Sequence, residues 1–446
     1  MQRIQLPYFA LWACVLLFMF SLPALAEETT EQRLAKLEQQ ITNLKREQTT
    51  RPASGANAFN PALSVVLQGA VKSYQLDPTE FTLSGMPLGG EAALGAAGLS
   101  MTETEVTASA NIDDWFFGQA TIGFHVEDNQ TVVDVEEAFF DSLALPAGLG
   151  VRGGRFYSAI GHMNQQHTHA WDFTDAPLAY LAFLGKQYKD DGLRLTWTAP
   201  TDLYLEIGGE ALRGGSYPAG GLDSQDAGSV RNAFAKVGGD FTATNSWLLG
   251  LSQLQTNTLN RSAGGGHSHG GEVSTAPTFD GASKLTSILA IWKWQSSTGQ
   301  MLTVQAENFN RAEDGVVNFT EDSEQAQLDY QGSQQGYYLQ TIMQFSRQWR
   351  MGFRGESLSA SNNLSLSDGD VDSNGSSFSA EEVISESGFE SIGKSLTKNS
   401  MMVDYSRSEF SRFRLQYALD QTQETQDQQI QLQYIMTFGA HGAHSY

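Results

Sequence analysis

The sequence predicts an all-β chain, an antiparallel transmembrane barrel of about sixteen strands preceded by a short coiled-coil helix. Three observations carry that prediction. From residue 62 onward, segments of about nine to twelve residues alternate in polarity with period two and carry aromatic residues at their ends, as tilted membrane strands do. The connections between them alternate between brief and long. After the first 26 residues no stretch is long and apolar enough for a membrane helix, so a chain that crosses a bilayer here must do so as a barrel. Composition agrees: of 446 residues 40% are hydrophobic and 17% charged, with 44 glycines and 11% aromatics, a polar and turn-rich chain with many rings. With 27 basic against 50 acidic residues the net charge is -23, which argues against nucleic acid as a partner and for cations.

Taken in order, the chain begins with Arg3, an apolar stretch from Tyr8 to Leu22, and Ala24-Leu25-Ala26, which predict a secretory signal over 1–26. The single cysteine, Cys14, lies inside it, so the mature chain offers neither disulfides nor thiolate metal ligands. Its removal takes away Arg3 and no acid, leaving a net charge of -24. Over 30–48, Leu34, Leu37, Ile41 and Leu44 hold a/d heptad spacing, which predicts a periplasmic coiled coil, too short to associate alone. A linker over 49–61 leads to the barrel, 62–446.

The predicted strands are 62–73, 97–112, 114–125, 131–142, 148–157, 189–200, 202–213, 229–242, 245–256, 284–295, 301–311, 335–345, 348–359, 398–408, 411–421 and 429–438. Every second connection is brief: Asp113, Leu143 to Ala147, Thr201, Ala243-Thr244, Ser296 to Gln300, Ser346-Arg347 and Glu409-Phe410. The others include 74–96, 158–188, 214–228, 257–283, 312–334 and 360–397. Short periplasmic turns and long extracellular loops produce this parity. In the last strand Ile430, Leu432, Tyr434, Met436 and Phe438 form the lipid-facing set, and the ending in Tyr446 resembles the aromatic signal read by the barrel assembly machinery.

Alternation turns Arg194, Arg350, Arg354, Glu356, Arg412, Arg414, Asp134, Glu136, Glu206, Glu210 and Glu307 away from lipid, because charge on the lipid face is expensive. They line a lumen, where they either select solutes or only brace the barrel. Histidine placement is the chemical clue. His162, His167 and His169 sit in the 158–188 connection, His267 and His269 in a glycine-rich loop, and His441 and His444 in the tail. A His-x-His pair in extended chain turns both rings to one side, and neutral imidazole suits zinc, with Asp172 or Asp175 as oxygen ligands. Such binding would be transient, and no cofactor is required. No phosphate loop, nucleophile elbow or His-Glu-x-x-His helix appears, so an enzyme is not expected.

Gly154 to Gly161, His167 to Tyr180, Asp190 to Leu195, and Phe438 to His444 together resemble bacterial outer-membrane porin-like barrels called zinc-regulated outer-membrane receptors. The helix-plus-barrel plan is similar to siderophore porins and phosphate-selective porins. The resemblance implies a passive channel in outer-membrane lipid, a homotrimer, and a constriction loop at 158–188, packed by Trp171, Phe173, Pro177, Leu178 and Tyr180. The chain departs from it twice: no plug domain for energised uptake precedes the barrel, and a charge of -24 does not suit a phosphate pore. The expected function is passive uptake of small solutes, divalent metal such as zinc among them. The alternative is a plugged barrel acting as a structural or surface-binding protein, its coiled coil in contact with the cell wall.

Overall fold

The computed structural model describes residues 61–127, 130–220, 230–262, 277–321, 324–366, 384–385 and 387–439. The chain divides into two units, Met1–Ala58 and Phe59–Tyr446, and the described residues belong to the second. The signal segment 1–26, the coiled coil 30–48, nearly all of the linker, His267, His269, His441 and His444 lie outside them.

Sixteen antiparallel strands close into one barrel: β1 (Ala62–Ser73), β2 (Gly98–Asn111), β3 (Phe116–Glu127), β4 (Gln130–Ser142), β5 (Leu149–Tyr157), β6 (Lys189–Thr198), β7 (Tyr204–Leu212), β8 (Val230–Thr242), β9 (Asn245–Ser262), β10 (Thr278–Gln295), β11 (Met301–Glu321), β12 (Glu324–Gln344), β13 (Trp349–Leu366), β14 (Leu396–Ser408), β15 (Ser411–Gln421) and β16 (Asp427–Gly439). Each strand pairs with its sequence neighbour, and β1 meets β16 from Ser64↔Gly439 to Ser73↔Ile430, so no edge is left open. All sixteen strands stand where alternation predicts them. Leu193, Leu195, Met351, Phe353, Phe413, Leu415, Ile430 and Leu432 are exposed on the outer face, while Arg194, Arg354, Arg414, Gln429, Gln431 and Gln433 between them are buried within.

Three predicted loops need correction. Residues 257–283, 312–334 and 360–397 are read as loops from their polar composition, yet 312–334 is nearly all strand and the other two are strand at their ends: β11 and β12 run 21 residues apiece, and β9, β10 and β13 run 18. A membrane strand needs about 9–11 residues, so this side of the barrel stands well above the lipid. A strand bathed in water on its outer face carries polar residues there, which reads as loop. Its inner face still alternates: Phe279, Val317, Leu328 and Tyr330 pack with Phe389 from the β13–β14 connection into a small core of their own.

Candidate functional site

The barrel interior is occupied by the segment 158–188, which leaves β5 and returns to β6 after crossing the lumen. Its stem is closed by Asn164, fully buried, whose Nδ2 donates to the carbonyls of Ser158 and Tyr188 at 2.8 Å each and whose Oδ1 accepts from the Tyr188 amide at 2.7 Å. Gly161 holds φ 72°, and a Cβ there would come 2.5 Å from the Tyr180 hydroxyl, so the position needs glycine. Trp171, Phe173, Leu178 and Tyr180 are buried against the wall.

The segment also contains a helix that alternation did not predict, α1 (Leu178–Leu184), all seven residues of which are buried. Its signal was legible: an apolar run with Pro177 before it and Gly185 after it, the latter at φ 61°. Glu356 of β13 accepts from the Leu178 amide at 2.6 Å, placing a carboxylate at the helix start. Around α1 lies an apolar core formed by Phe156, Ile160, Trp171, Phe183, Phe309 and Leu358. Glu307 of β11 collects four donors: Ser287 Oγ at 2.6 Å, Tyr180 Oη at 2.7 Å, Tyr338 Oη at 3.0 Å and the His162 amide at 3.1 Å.

Two walls of opposite charge hold the segment. On the β13–β15 side Asp172 pairs with Arg350 at 2.9 Å, and Asp175 takes Arg354 at 2.6 Å and Lys398 at 2.8 Å. Arg354 also reaches Glu356 at 2.7 Å, and Asp404 of β14, in register with Arg350 on one side and Arg414 on the other, pairs with both. Arg412 comes only to 3.9 Å of Asp404. On the β2–β4 side His167 lies between Glu105 and Glu137 at 3.0 Å from each, His169 meets the other oxygen of Glu105 at 3.0 Å, and Thr168 donates to Glu103 at 2.7 Å. The rings of His167 and His169 stack with centroids 5.7 Å apart. Elsewhere Arg194 pairs with Glu210 at 2.6 Å, Lys236 with Glu206 at 3.6 Å, and Lys189 lies among Asp134, Glu136 and Glu91.

The segment's two histidine environments differ. Burial pushes the His162 imidazole down to about 4, and its Nε2 lies 3.0 Å from Gln166 Nε2. His167 is raised well above the ordinary value: burial works against its charge, and the Glu105 and Glu137 carboxylates outweigh burial.

Among the described residues, the predicted donors are therefore not gathered at one point. Asp172 and Asp175 spend their oxygens on Arg350, Arg354 and Lys398, and His162 stands apart from His167 and His169 with partners of its own. Among the described residues, the carboxylates that lie close enough together to share an ion are Glu91, Asp134 and Glu136, and Lys189 already sits among them. Sequence reasoning missed Glu105, Glu137, Lys398 and Asp404 as partners; Glu105, Lys398 and Asp404 stand at inward positions of their strands, whereas Glu137 is turned inward by the bulge at Glu136, between Thr121↔Glu137 and Ile122↔Val135.

No protein-family model matches the chain. An uncharacterised protein of Aquifex aeolicus is 27% identical over 363 residues, 78% of this chain and 70% of its own length. Among solved structures, a loop L8 deletion mutant of OmpT, an outer membrane protein of Vibrio cholerae, covers 86% of this chain and all of its own at 10% identity and a TM-score of 0.51. The fold is that of outer-membrane porins. The outer membrane channel DcaP of Acinetobacter baumannii superposes over 85% of this chain and 97% of its own, with 10% identity and a TM-score of 0.49. The ion pairs and packed rings described above lie inside the barrel, where 158–188 shares its apolar core with Phe81, Leu83 and Met86 of the β1–β2 connection.

Proposed function

We propose that this chain is an outer-membrane channel for small polar solutes, narrowed by the 158–188 segment. One observation carries the reading: the segment stretches between an arginine and lysine wall on β13–β15 and a glutamate wall on β2–β4, so any solute passing it crosses a transverse field. Such a field orders polar solutes by charge and dipole and disfavours apolar ones. With this proposal go export by 1–26, a periplasmic helix over 30–48, assembly by the barrel machinery and a trimer of barrels. Divalent metal, zinc above all, belongs to it as a cargo handed along by His162, His167 and His169, with zinc displacing the proton that Glu105 and Glu137 hold on His167. Replacing those three together should lower reconstituted metal flux, and an unchanged flux removes metal from the proposal.

A plugged barrel is the second reading, and the apolar core around α1 favours it, since Phe156, Trp171 and Phe183 fill space that a wide pore would leave to water. Planar-bilayer recording with ion-selectivity measurement, repeated with added zinc, separates the two. Steady channels are expected. Silence from correctly folded protein decides for the plug.

A further inference from the structure

On the outer face of β10–β13, in the half of the barrel away from the short turns, lies a groove of about 460 Å³. Register fixes its height. Lys284 faces Gln255 on one side and Ala312 on the other, Ala312 faces Ser333, and Ser333 faces Ser361, so one row of outward side chains crosses from β9 to β13. The next row toward the turns is Thr286, Asn310, Gln335 and Ser359. Below that, Ile288, Leu251 and Tyr337 are exposed and begin the apolar belt, with a tyrosine at its edge. The groove therefore sits immediately above hydrocarbon, at the level of lipid headgroups. It is recessed because Ala312, Ser333, Ser359 and Ser361 are small while Lys284 and Gln335 beside them are long. Arg231 faces Gln255 from the other side, in the same row as Lys284 and about 10 Å from it across two strand spacings. Both cations are exposed, and among the described residues no carboxylate pairs with either. Asp314, one row higher, accepts from Gln331 at 3.2 Å.

We infer that this groove docks a phosphorylated glycolipid of the surrounding leaflet, its acyl chains on the belt below and its sugar in the recess. The groove continues the lipid-facing wall upward, so a lipid whose chains lie against Ile288 and Leu251 brings its headgroup to Lys284 without leaving the bilayer. The chemistry selects the headgroup. Amides and hydroxyls at Asn310, Ser333, Gln335 and Ser359 both donate and accept, as sugar hydroxyls do, whereas a bare phosphate would be served by the cations alone. Lys284 and Arg231 complement phosphate on the sugar, and a cation held near a lipid surface gains from anionic headgroups. Ala312 and the serines keep the floor low enough for a ring to lie flat on the sheet.

The test is titration of the full chain, folded in detergent, with fluorescently labelled rough lipopolysaccharide, a glycolipid whose sugars carry phosphate close to the acyl chains. Phosphatidylglycerol, anionic but without a sugar ring, serves as competitor. Saturable binding is expected, resistant to phosphatidylglycerol, weakened at least tenfold by Ser359→Trp, which fills the recess, weakened about fivefold by Lys284→Gln, and retained by Lys284→Arg. Heat-modifiable migration on gels verifies that each variant is folded. If Ser359→Trp fails to fold, Ser361→Trp at its exposed position one row higher decides. Absence of saturable binding to the wild-type chain overturns the inference, as does binding that Lys284→Gln and the folded tryptophan variant both leave unchanged. Equal displacement by phosphatidylglycerol also overturns it, since the face would then read charge alone. A tryptophan variant that lowers the oligomer mass by light scattering yet binds glycolipid normally gives the face to a second copy of the chain. The groove lies outside the lumen, so a barrel that conducts nothing but binds the glycolipid overturns the channel reading alone.

Discussion

The two attachments of the 158–188 segment are built from different chemistry. At the β13–β15 end the segment supplies carboxylates, Asp172 and Asp175, and the wall supplies Arg350, Arg354 and Lys398. At the β2–β4 end the segment supplies His167 and His169 and the wall supplies Glu105 and Glu137. Arginine stays charged at every physiological pH, whereas imidazole does not. One end is therefore a permanent clamp and the other a titratable one.

Three changes would break or sharpen that contrast. The largest effect is expected at the permanent end: Asp175→Asn leaves Arg354 and Lys398, both buried, without their shared partner, at a cost of about 3–5 kcal/mol. A fall in the denaturant midpoint, with increased proteolysis within 158–188, is the expected readout. A midpoint within error of wild type would mean that the clamp is ornamental.

The titratable end should respond to pH. The His167 pKa is raised in the folded chain, so its contribution is complete below the ordinary value of about 6.5 and is lost as pH rises through the folded value. Proteolytic exposure around Thr168 should thus rise at alkaline pH while the neighbourhood of Asp175 stays protected. His167→Gln should cost about 1.5–3 kcal/mol near neutral pH and abolish that pH dependence. If both ends loosened together on alkalinisation, the contrast would fail. The smallest effect is expected at Gly161→Ala, which forces a Cβ toward the Tyr180 hydroxyl at positive φ and should lower stability by about 1–2 kcal/mol without altering the pH profile.

How much of this was legible in the sequence follows from what alternation encodes. Period two assigns a face, so Arg194, Arg350, Arg354 and Arg414 could be turned inward from their apolar neighbours Leu193, Met351, Phe353 and Phe413. It does not encode height along the barrel or which inward groups meet across the lumen. Asp175 and Lys398 are 223 residues apart, and nothing local announces their contact. Asp172 and Asp175 read equally well as metal ligands and as clamp residues until the wall opposite them is known. The polar upper parts of β9–β13 misled for the converse reason: above the lipid the outer face no longer needs to be apolar, and half of the alternation disappears. Alternation passed over the helix α1 because seven apolar residues in a row carry no period, and only the flanking Pro177 and Gly185 marked it.

The Asn164 stitch has a mechanical consequence. By tying Ser158 to Tyr188 it joins the two stems of the crossing segment, so they cannot swing apart like the leaves of a door. What remains is a tethered cork, secured at its root and loosened only at its rim. Motion that widens the passage then begins at whichever rim attachment is weaker, and acidity of the surroundings selects which one that is.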